Sequence, residues 1–317
     1  TEKERMLSVT FNGVLSDLRL LGKLHEIQNA ASNPERFDRM GLSNDFHQLS
    51  QYKKIYDQIR YLDRTGMEIV RINYNHGHPV IVAQKDLQNK EKRYYFQDTI
   101  ELAADEIFIS PLDLNIEQGK IERPIKPVIR FGITVLDKNG EKQGVCLLNY
   151  RADTLIDNLA RDHSSPSPGL FSFLNSDGYW LTGGEDPKGW GFMFDDRKDS
   201  TFSHPYPFEW KTILGSESGQ ILTDNGLFTF ATFYPLGESQ KSSTGSKNAY
   251  EASRSDLQGE AYFFKLVSHI PDAVLKEKRQ AVSTPLIQVF IILVIFFLPG
   301  TLLFAKFRVD RTKHKLE

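Results

Sequence analysis

The stretch PVIRFGITVLDKNGEKQGVCLLNY, residues 127–150, decides the fold of this chain. Two apolar runs, residues 127–136 and 144–150, flank the tetrapeptide Asp-Lys-Asn-Gly at positions 137–140. Asn-Gly between apolar runs is a strong signal for a β-hairpin, because both residues tolerate the positive φ angles of a tight turn. The stretch therefore predicts two antiparallel strands joined by a turn that ends at Gly140.

Upstream of this hairpin, the pattern begins as helical. Apolar side chains recur over residues 6–28 at intervals of four and three, the spacing of one helix face. They are Leu7, Phe11, Val14, Leu18 and Leu21. This helix is either a long stalk or, paired with a second copy of the chain, a coiled coil. A second helix is expected from Ser43, a good N-cap, to about Leu62.

The pattern then changes to extended structure. Alternation predicts strands at residues 68–74 and 79–82 around a turn at His76-Gly77. A helix is expected over residues 86–102 and a strand at 106–110. After the central hairpin, residues 151–161 indicate a short helix, and the composition of residues 163–169 is that of a linker.

A second β-rich unit follows. Residues 170–181 indicate a hairpin about a turn at 175–178, with further strands at 220–222, 227–234 and 261–270 and a helix at 208–214. Residues 236–256, rich in Ser, Gly and Lys, predict a mobile hairpin tip. The aromatic side chains expected in the core of this unit are Trp180, Trp190, Trp210, Phe192 and Phe194. A long N-terminal helix followed by two such units predicts an α+β fold of two modules with antiparallel sheets.

Residues 285–305, PLIQVFIILVIFFLPGTLLFA, contain no charged side chain. At about 1.5 Å per residue, a helix of this length spans about 30 Å, the thickness of the hydrocarbon core of a bilayer. A backbone in lipid must satisfy its own hydrogen bonds, so we predict one transmembrane helix. Five Lys and Arg residues follow the span and three precede it, which places the C-terminus in the cytoplasm and residues 1 to about 280 outside. We also expect an upstream membrane segment and an output domain after Glu317.

Composition excludes several classes of function. The chain has 317 residues, a net charge of -2 and a single cysteine, Cys146, so it has neither a basic nucleic-acid footprint nor an intrachain disulfide. It contains no Gly-x-Ser-x-Gly, Walker A or paired-cysteine motif, so we expect no catalytic residue and no cofactor. His76 and His78 flank Gly77 without nearby carboxylates, a pattern more typical of a hairpin tip than of a metal site, and no metal is expected.

Three stretches, taken in order, resemble the double Cache family of tandem PAS-like extracytoplasmic sensors of bacterial and archaeal receptors. The first is KRYYF at 92–96 followed by EIFISPLDLN at 106–115, and the second pairs residues 127–137 with 144–149. The third combines FLNSDGYWL at 173–181 with aromatic runs at 189–194, 206–210 and 226–230. The resemblance covers about residues 40–272 with the flanking helix and span. It implies a receptor whose output is a histidine kinase, a diguanylate cyclase or a chemoreceptor body.

The resemblance also implies that the membrane-distal module holds a ligand between its sheet and the helix and loops above it. Carried over by position, the ligand-binding residues are Tyr74, Arg93, Tyr94, Tyr95, Ser110, Asp113, Arg130 and Asn149.

The chemistry of these residues suits a small polar ligand. Arg93 and Arg130 offer the bidentate fork that matches a carboxylate or a phosphate. The alternative is that they form structural ion pairs with Asp98, Asp113 or Glu106.

The other candidates leave alternatives open. Asp113 either binds an amine or serves as a turn residue near Pro111, and a pocket with both Asp and Arg suits a zwitterion or a polar heterocycle. Tyr94 and Tyr95 provide amphipathic walls. Adjacent helical residues point about 100° apart, so at most one of these two is expected to face squarely into a pocket.

These observations predict stalk helices at 1–63, a membrane-distal Cache module at 64–162, a membrane-proximal module at 163–280, a transmembrane helix at 281–306 and a cytoplasmic start at 307–317. The expected function is an extracytoplasmic small-molecule sensor of a transmembrane receptor, for example in a two-component system, in the bacterial inner membrane with its sensory body in the periplasm. Its expected partners are a small polar ligand, the membrane and a second copy of the chain, but no nucleic acid. The alternatives are a ligand-independent dimerisation or protein-interaction module and a membrane-tethered enzyme.

Overall fold

The computed structural model of the chain describes residues 1–117, 119–161, 170–181, 188–248 and 251–313. The linker expected at 163–169 lies outside the described residues. The helices are α1 Glu2–Gly22, α2 His25–Ser32, α3 Arg39–Lys53, α4 Tyr94–Ile100, α5 Asp153–Ala160, α6 Pro207–Leu214 and α7 Asp272–Lys313. The strands are β1 Tyr56–Asp63, β2 Glu68–Asn73, β3 Val80–Ile81, β4 Ile107–Ile109, β5 Asp113–Leu114, β6 Ile116–Glu117, β7 Lys120–Ile121, β8 Pro127–Leu136, β9 Lys142–Arg151, β10 Leu170–Asn175, β11 Ser218–Thr223, β12 Gly226–Phe233, β13 Gln240–Ser243, β14 Asp256–Gln258 and β15 Phe264–Pro271.

The predicted hairpin is the centre of a sheet of nine strands. The strand order is β14-β13-β4-β8-β9-β1-β2-β3, with β5 paired to β8 off this path. Strands β8 and β9 pair antiparallel, and Gly140 in their connection has a φ of 83°, where a side chain would be strained. Strand β1 pairs with β9 on one edge and with β2 on the other. The hairpin prediction is therefore confirmed.

Helix α1 packs along one face of this sheet. The five residues of its predicted apolar stripe are all buried, and they belong to the main hydrophobic core. The Phe11 ring lies 5.5 Å from the ring of Phe131 on β8 and 5.6 Å from that of Phe233 on β12, measured between centroids. The predicted apolar stripe is confirmed, but the helix ends at Gly22 and residues 25–28 belong to the separate helix α2. Because the stripe is covered within the chain, it does not form a coiled-coil seam.

The second predicted helix was wrong in its C-terminal half. Helix α3 ends at Lys53, and Lys54 adopts a φ of 58° before the chain enters strand β1. Tyr56 and Ile59, which fall within the predicted helix, both lie in β1. A register shift between Tyr56 and Gln58 marks a bulge, which turns both apolar side chains toward the same core. The bulged strand thereby reproduces a helix-like spacing of three.

The helix expected over residues 86–102 was also too long. Only Tyr94–Ile100 is helical. The preceding segment is held against the β1–β2 turn, where the Lys90 amide donates to the Gly66 carbonyl at 2.7 Å and Asn89 bridges to Met67. These contacts give backbone N–H and C=O groups of the segment hydrogen-bond partners without a helix.

The second unit is an antiparallel sheet of four strands in the order β10-β15-β12-β11. Trp190 and Trp210 are buried, whereas the other aromatic residues expected in its core, Trp180, Phe192 and Phe194, are half-buried. Trp180 and Trp210 pack in the core cluster of this sheet, whereas Trp190, Phe192 and Phe194 pack in the main core that α1 and the large sheet also form. The prediction of one aromatic core for the second unit is therefore correct for only two of the five residues.

The mobile hairpin tip predicted at 236–256 was wrong. Strand β13 pairs in parallel with β4 and antiparallel with β14, so this segment adds two strands to the large sheet of the first unit. The Ser242 hydroxyl donates to the Ile109 carbonyl at 2.5 Å. The domain boundaries at 63/64 and 162/163 stay predictions. The large sheet crosses both of them, because it contains β1 from before the first boundary and β13 and β14 from after the second.

Helix α7 continues directly from strand β15. Among the described residues, it is the one helix that is long and apolar enough to cross a membrane, and its most apolar window is entirely unburied. Pro285 and Pro299 lie inside it. The last strand of the second unit thus leads into the candidate span without a connecting loop.

Candidate functional site

The face of the large sheet opposite α1 carries a row of polar side chains. The register places four of them side by side on strands β2, β1, β9 and β8 in turn: Asn73, Gln58, Asn149 and Arg130. The Asn149 amide donates to Gln58 Oε1 at 3.3 Å. Next to this row, Arg60 on β1 pairs with Arg71 on β2. Buried polar groups on a sheet face require hydrogen-bond partners, and several of these partners come from the segments that cover this face.

Helix α4 and the segment after it cover this face. The helix approaches closely at Gly132 of β8, where a Cβ atom would lie 2.5 Å from Thr99 Oγ1 and 2.8 Å from Leu147. Tyr94 and Tyr95 open the helix, and their rings are buried edge-to-face at 5.6 Å. Both hydroxyls reach the polar layer, where the sequence led us to expect no more than one.

Arg130 and Asp113 form the first pair of this layer. Arg130 is 1% exposed, and its Nη1 lies 2.7 Å from Asp113 Oδ1. The Tyr94 hydroxyl donates to Asp113 at 2.9 Å and accepts from Arg130 at 3.2 Å. Burial alone would lower the pKa of Arg130, but Asp113 outweighs it and raises that pKa, so the guanidinium stays charged. The structural ion pair considered for Arg130 is confirmed.

Arg93 makes a different set of contacts. Both of its terminal nitrogens donate to the Ile116 carbonyl at 3.5 Å, and its guanidinium carbon lies 5.2 Å from the centre of the Tyr95 ring. In the described part of the chain, it forms no ion pair with the acids considered for it from sequence, Asp98, Asp113 and Glu106.

Three guanidinium groups surround the Tyr95 ring. The guanidinium carbons of Arg60, Arg93 and Arg130 lie 5.0, 5.2 and 5.1 Å from its centre. Burial alone would raise the pKa of Tyr95, but Arg60, Arg93, Lys90 and Arg130 outweigh it and lower that pKa to about 8. This phenol therefore sits at a strongly positive point of the molecule.

Sequence reasoning missed part of this layer. Arg60 donates to Asn149 Oδ1 at 2.6 Å, and the Glu68 carboxylate lies 2.7 Å from Arg71 and 3.8 Å from Arg60. Arg60 was missed because its strand was assigned to a helix. The strand alternation Val70-Arg71-Ile72 was a usable signal for Arg71, because it places that residue on the face opposite two core residues.

Lys90 and Glu117 complete the layer. Lys90 is buried, and its Nζ donates to Gln88 at 2.6 Å. Glu117 on β6 is half-buried. Burial raises its pKa, but Lys90 and the arginines 60, 71 and 93 outweigh that effect and lower it.

A cavity of about 140 Å³ opens beside this layer. Its lining residues are Asp57, Gln58, Arg71, Asn73, Asn75, Glu117, Glu122 and Lys126.

Two of the eight predicted residues lie outside the layer or act through the backbone. Tyr74 stacks with Arg151 at 5.0 Å and lines a separate cavity of about 120 Å³, together with His76. The Ser110 hydroxyl accepts from the Arg130 amide at 2.8 Å, and the Ser110 carbonyl accepts from the Tyr262 hydroxyl at 3.2 Å. Among the described residues, no group of three His, Cys, Asp or Glu side chains is placed to hold a metal.

The comparisons with known proteins identify the family and the fold of the chain. A family model described as the sensor domain of bacterial histidine kinases matches residues 3–242. The extracellular domain of vpHK1S-Z8, assigned as a histidine kinase, superposes with a TM-score of 0.70 at 19% identity, over 88% of this chain and 90% of that one. A domain of a sensory box/GGDEF family protein from Vibrio parahaemolyticus gives 0.69 at 19% identity, over 87% and 94%.

A third solved structure, the periplasmic sensory domain of the Campylobacter jejuni chemoreceptor Tlp1, gives a TM-score of 0.55 at 11% identity, over 86% of this chain and 92% of that one. A search of curated proteins finds no match to this chain. The resemblance to tandem PAS-like extracytoplasmic sensors is confirmed at the level of the fold.

Proposed function

This chain belongs to the family of bacterial histidine kinase sensor domains, and from that membership we propose that it is the ligand-sensing part of a transmembrane receptor. The family gives this part of the chain a sensory role and not a catalytic one. The ligand would bind in the first unit, on the polar face of the large sheet below α4. The observation that carries this proposal is the buried polar layer itself, because a structural core does not need so many charged side chains at one point.

The residues proposed to line the site are those predicted from sequence that meet in this layer: Arg93, Tyr94, Tyr95, Asp113, Arg130 and Asn149. Arg60 and Arg71 join them on the evidence of their contacts. Ser110 is proposed as a support that fixes the Arg130 backbone, and Tyr74 as a residue of the neighbouring cavity.

The membrane arrangement is also part of the proposal. Helix α7 would cross the bacterial inner membrane with its C-terminus in the cytoplasm, so that both units face the periplasm. Two copies would stand side by side, and their membrane helices would carry the signal to an output domain by moving relative to each other. Packed helices typically shift by about 1–2 Å in such transitions.

The relay proposed for the signal runs through Tyr262. Its hydroxyl donates to the Ser110 carbonyl, and the Ser110 hydroxyl in turn holds the backbone of Arg130. Tyr262 lies just before β15, and its ring packs against Phe264 at 5.2 Å between centroids. Because β15 runs directly into α7, a displacement of Arg130 by a ligand has a short covalent and packed route to the membrane helix.

A thermal-shift screen of the whole chain in a nonionic detergent against a metabolite library tests this function. A ligand should raise the unfolding temperature of the wild type and fail to do so for Arg93→Ala. Arg19→Ala, which removes an exposed arginine of α1, should respond as the wild type does. A stabilising ligand whose effect survives Arg93→Ala would remove Arg93 from the site, and a screen without any stabilising ligand would favour a ligand-independent dimerisation module.

A further inference from the structure

Asp98 is a carboxylate of α4 that takes part in neither the polar layer nor the relay through Tyr262. It is half-buried, and its Oδ2 accepts two hydrogen bonds, one from the Ser243 hydroxyl at 2.6 Å and one from the Ser253 hydroxyl. These serines lie 145 and 155 residues further along the chain. One carboxylate oxygen therefore holds the helix that covers the polar layer to a segment from the second half of the chain.

This segment is called the strap here and comprises β13, β14 and the residues next to them, 240–248 and 251–258. The Thr244 amide donates to the Ser255 carbonyl at 2.9 Å. Thr244 Oγ1 accepts from the amides of Arg254 and Ser255, both at 3.1 Å. After β14 the chain continues into β15 and then α7. The strap thus connects the cover of the candidate site to the strand that enters the membrane helix.

The charged groups that face Asp98 are mostly acids. A cavity of about 350 Å³ beside it lies between α4, β4, β13 and β14, and its other charged lining residues are Glu101, Glu106, Lys241 and Asp256. Lys241 lies 3.5 Å from Glu106, and Arg254 in the strap is exposed. Within the described ranges, Asp98 forms no ion pair, and the two serine hydroxyls are its hydrogen-bond partners.

A proton on Asp98 removes a costly charge without breaking these bonds. Burial raises the pKa of Asp98, the two serine hydrogen bonds lower it and Asp256 raises it, and the net result is a pKa above the ordinary 3.8. Oδ2 can accept from both serines in either protonation state. Oδ1 has no partner in the described part of the chain and is not buried, so it is free to take the proton.

We propose that the strap is a proton-sensitive contact: acidification stabilises its attachment to α4 through a proton taken up by Asp98, and ionisation of Asp98 weakens that attachment. This inference rests on the proposed sensory function, because α4 covers the proposed site. The folded chain takes up this proton at a higher pH than the unfolded chain. The contribution to the free energy of unfolding is therefore fully present below pH 3.8 and is lost as the pH rises through the folded-state pKa.

The first test is chemical denaturation of the whole chain in a nonionic detergent at about pH 7 and about pH 4.5. Asp98→Asn imitates the protonated acid, because its amide oxygen can accept both serine bonds. At the higher pH its equilibrium constant of unfolding should be at least about threefold smaller than that of the wild type, a gain that misfolding cannot produce. At the lower pH this difference should shrink by about half or more.

Glu101→Gln is the matched control. It removes the same charge directly after α4, from a side chain that is 84% exposed, and it should leave the unfolding constant unchanged at both pH values. Asp256→Asn is a second variant, which removes the acid of β14 that raises the pKa of Asp98. In that variant the stabilisation should begin at a lower pH than in the wild type.

Hydrogen exchange shows whether the strap is the part that responds. After correction for intrinsic exchange rates, the amides of Thr244 and Ser255 should be more protected at about pH 4.5 than at about pH 7 in the wild type. Asp98→Asn should show the higher protection at both pH values. The amides of β11 lie in the other sheet and should not change.

Other results would overturn the inference. An Asp98→Asn variant less stable than the wild type at about pH 7, with no shift in Asp256→Asn, would show that the charge itself holds the strap. Equal pH dependence of the wild type and Asp98→Asn, or an equal effect of Glu101→Gln, would mean that Asp98 is not the responding group. Strap protection that ignores pH would place the proton elsewhere. All of these results would leave the sensory function standing, because the ligand screen with Arg93→Ala tests that function separately.

Discussion

Arg60 and Tyr95 are held together by two contacts at once. Arg60 Nη1 donates to the Tyr95 hydroxyl at 3.1 Å, and its guanidinium carbon lies 5.0 Å from the centre of the same ring. One cation thus interacts with both the oxygen and the π face of a single phenol. Arg60 lies on strand β1 and Tyr95 on helix α4, so this pair connects the large sheet to the helix that covers it.

The first prediction concerns the titration of Tyr95. Its pKa is lowered to about 8 in the folded chain from an ordinary value of 10.0. Between these values the folded state has lost a proton that the unfolded state keeps, so the free energy of unfolding should rise with pH from about 8 to about 10 and lose this contribution below. We expect a rise of about 2 kcal/mol in the wild type relative to Tyr95→Phe, measured by denaturant unfolding.

Near-ultraviolet absorbance provides the direct reading, because tyrosinate absorbs where tyrosine does not. One tyrosine should ionise near pH 8 in the wild type and in Tyr52→Phe, which alters a side chain that is 79% exposed. If Tyr95→Phe shows the same early ionisation, the arginines do not act on Tyr95 as described.

The second prediction concerns the contact of α4 with the sheet. A side chain at Gly132 would push against Thr99 and Leu147, so Gly132→Ala should lower the free energy of unfolding by about 1–3 kcal/mol. It should also weaken ligand binding, because α4 carries Tyr94 and Tyr95. Chemical denaturation and titration with the ligand measure the two effects.

Gly13→Ala on α1 is the matched control. A Cβ atom there meets nothing within 4 Å. Alanine favours a helix interior by about 1 kcal/mol over glycine, so this variant should be as stable as the wild type or more stable. Equal stability of the two alanine variants would show that α4 does not sit tightly on Gly132.

What the sequence predicts well here is local. The central hairpin follows from apolar runs about Asn-Gly, and the buried stripe of α1 follows from spacing alone, because each signal lies within a few turns or residues. Of the site, the pairing of Arg130 with Asp113 was among the stated alternatives. Arg60 and Arg71 were not predicted, and Arg60 faces the layer only when β1 pairs with β2 and β9.

What the sequence hides is pairing over long distances. Strand β13 lies more than a hundred residues after β4, and its residues Gln240–Ser243 are polar, so no periodicity marks them. Their order comes from backbone pairing and from hydroxyl contacts, such as Ser243 Oγ to Asp98 at 2.6 Å. The position of β13 therefore depends on strand β4, with which it pairs in the folded chain, and not on its own sequence pattern.

The third prediction tests the relay. Tyr262→Phe removes the hydrogen bond to Ser110 and should cost about 1 kcal/mol of stability. It should leave the affinity for a ligand found by the screen unchanged, since Tyr262 lies outside the polar layer. Ligand-induced protection of residues 264–276 from hydrogen exchange should be lost.

Tyr179→Phe removes a comparable bond, from a hydroxyl to the Lys198 carbonyl at 2.9 Å, and is the control. That variant should keep the ligand-induced protection. Protection that persists in Tyr262→Phe would mean that the signal reaches α7 by another route.

The fourth prediction concerns the orientation in the membrane. In intact spheroplasts of cells that produce the protein, added protease should digest the two units and leave α7 protected, because a helix in lipid is inaccessible. Mass spectrometry of the protected peptide gives its bounds. Survival of the units in intact spheroplasts, with digestion only after permeabilisation, would place them in the cytoplasm.

The return of the chain to the first sheet has a consequence for dissecting the protein. Because β13 and β14 border β4, a polypeptide that stops at residue 161 would bare the β4 edge and its unpaired amides. Bare edges of this kind recruit other strands, so such a truncated piece is expected to self-associate, although every side chain of the polar layer is present in it. Strands β13 and β14 come from the second half of the chain but belong to the sheet of the first half, so neither half is expected to fold as a separate domain.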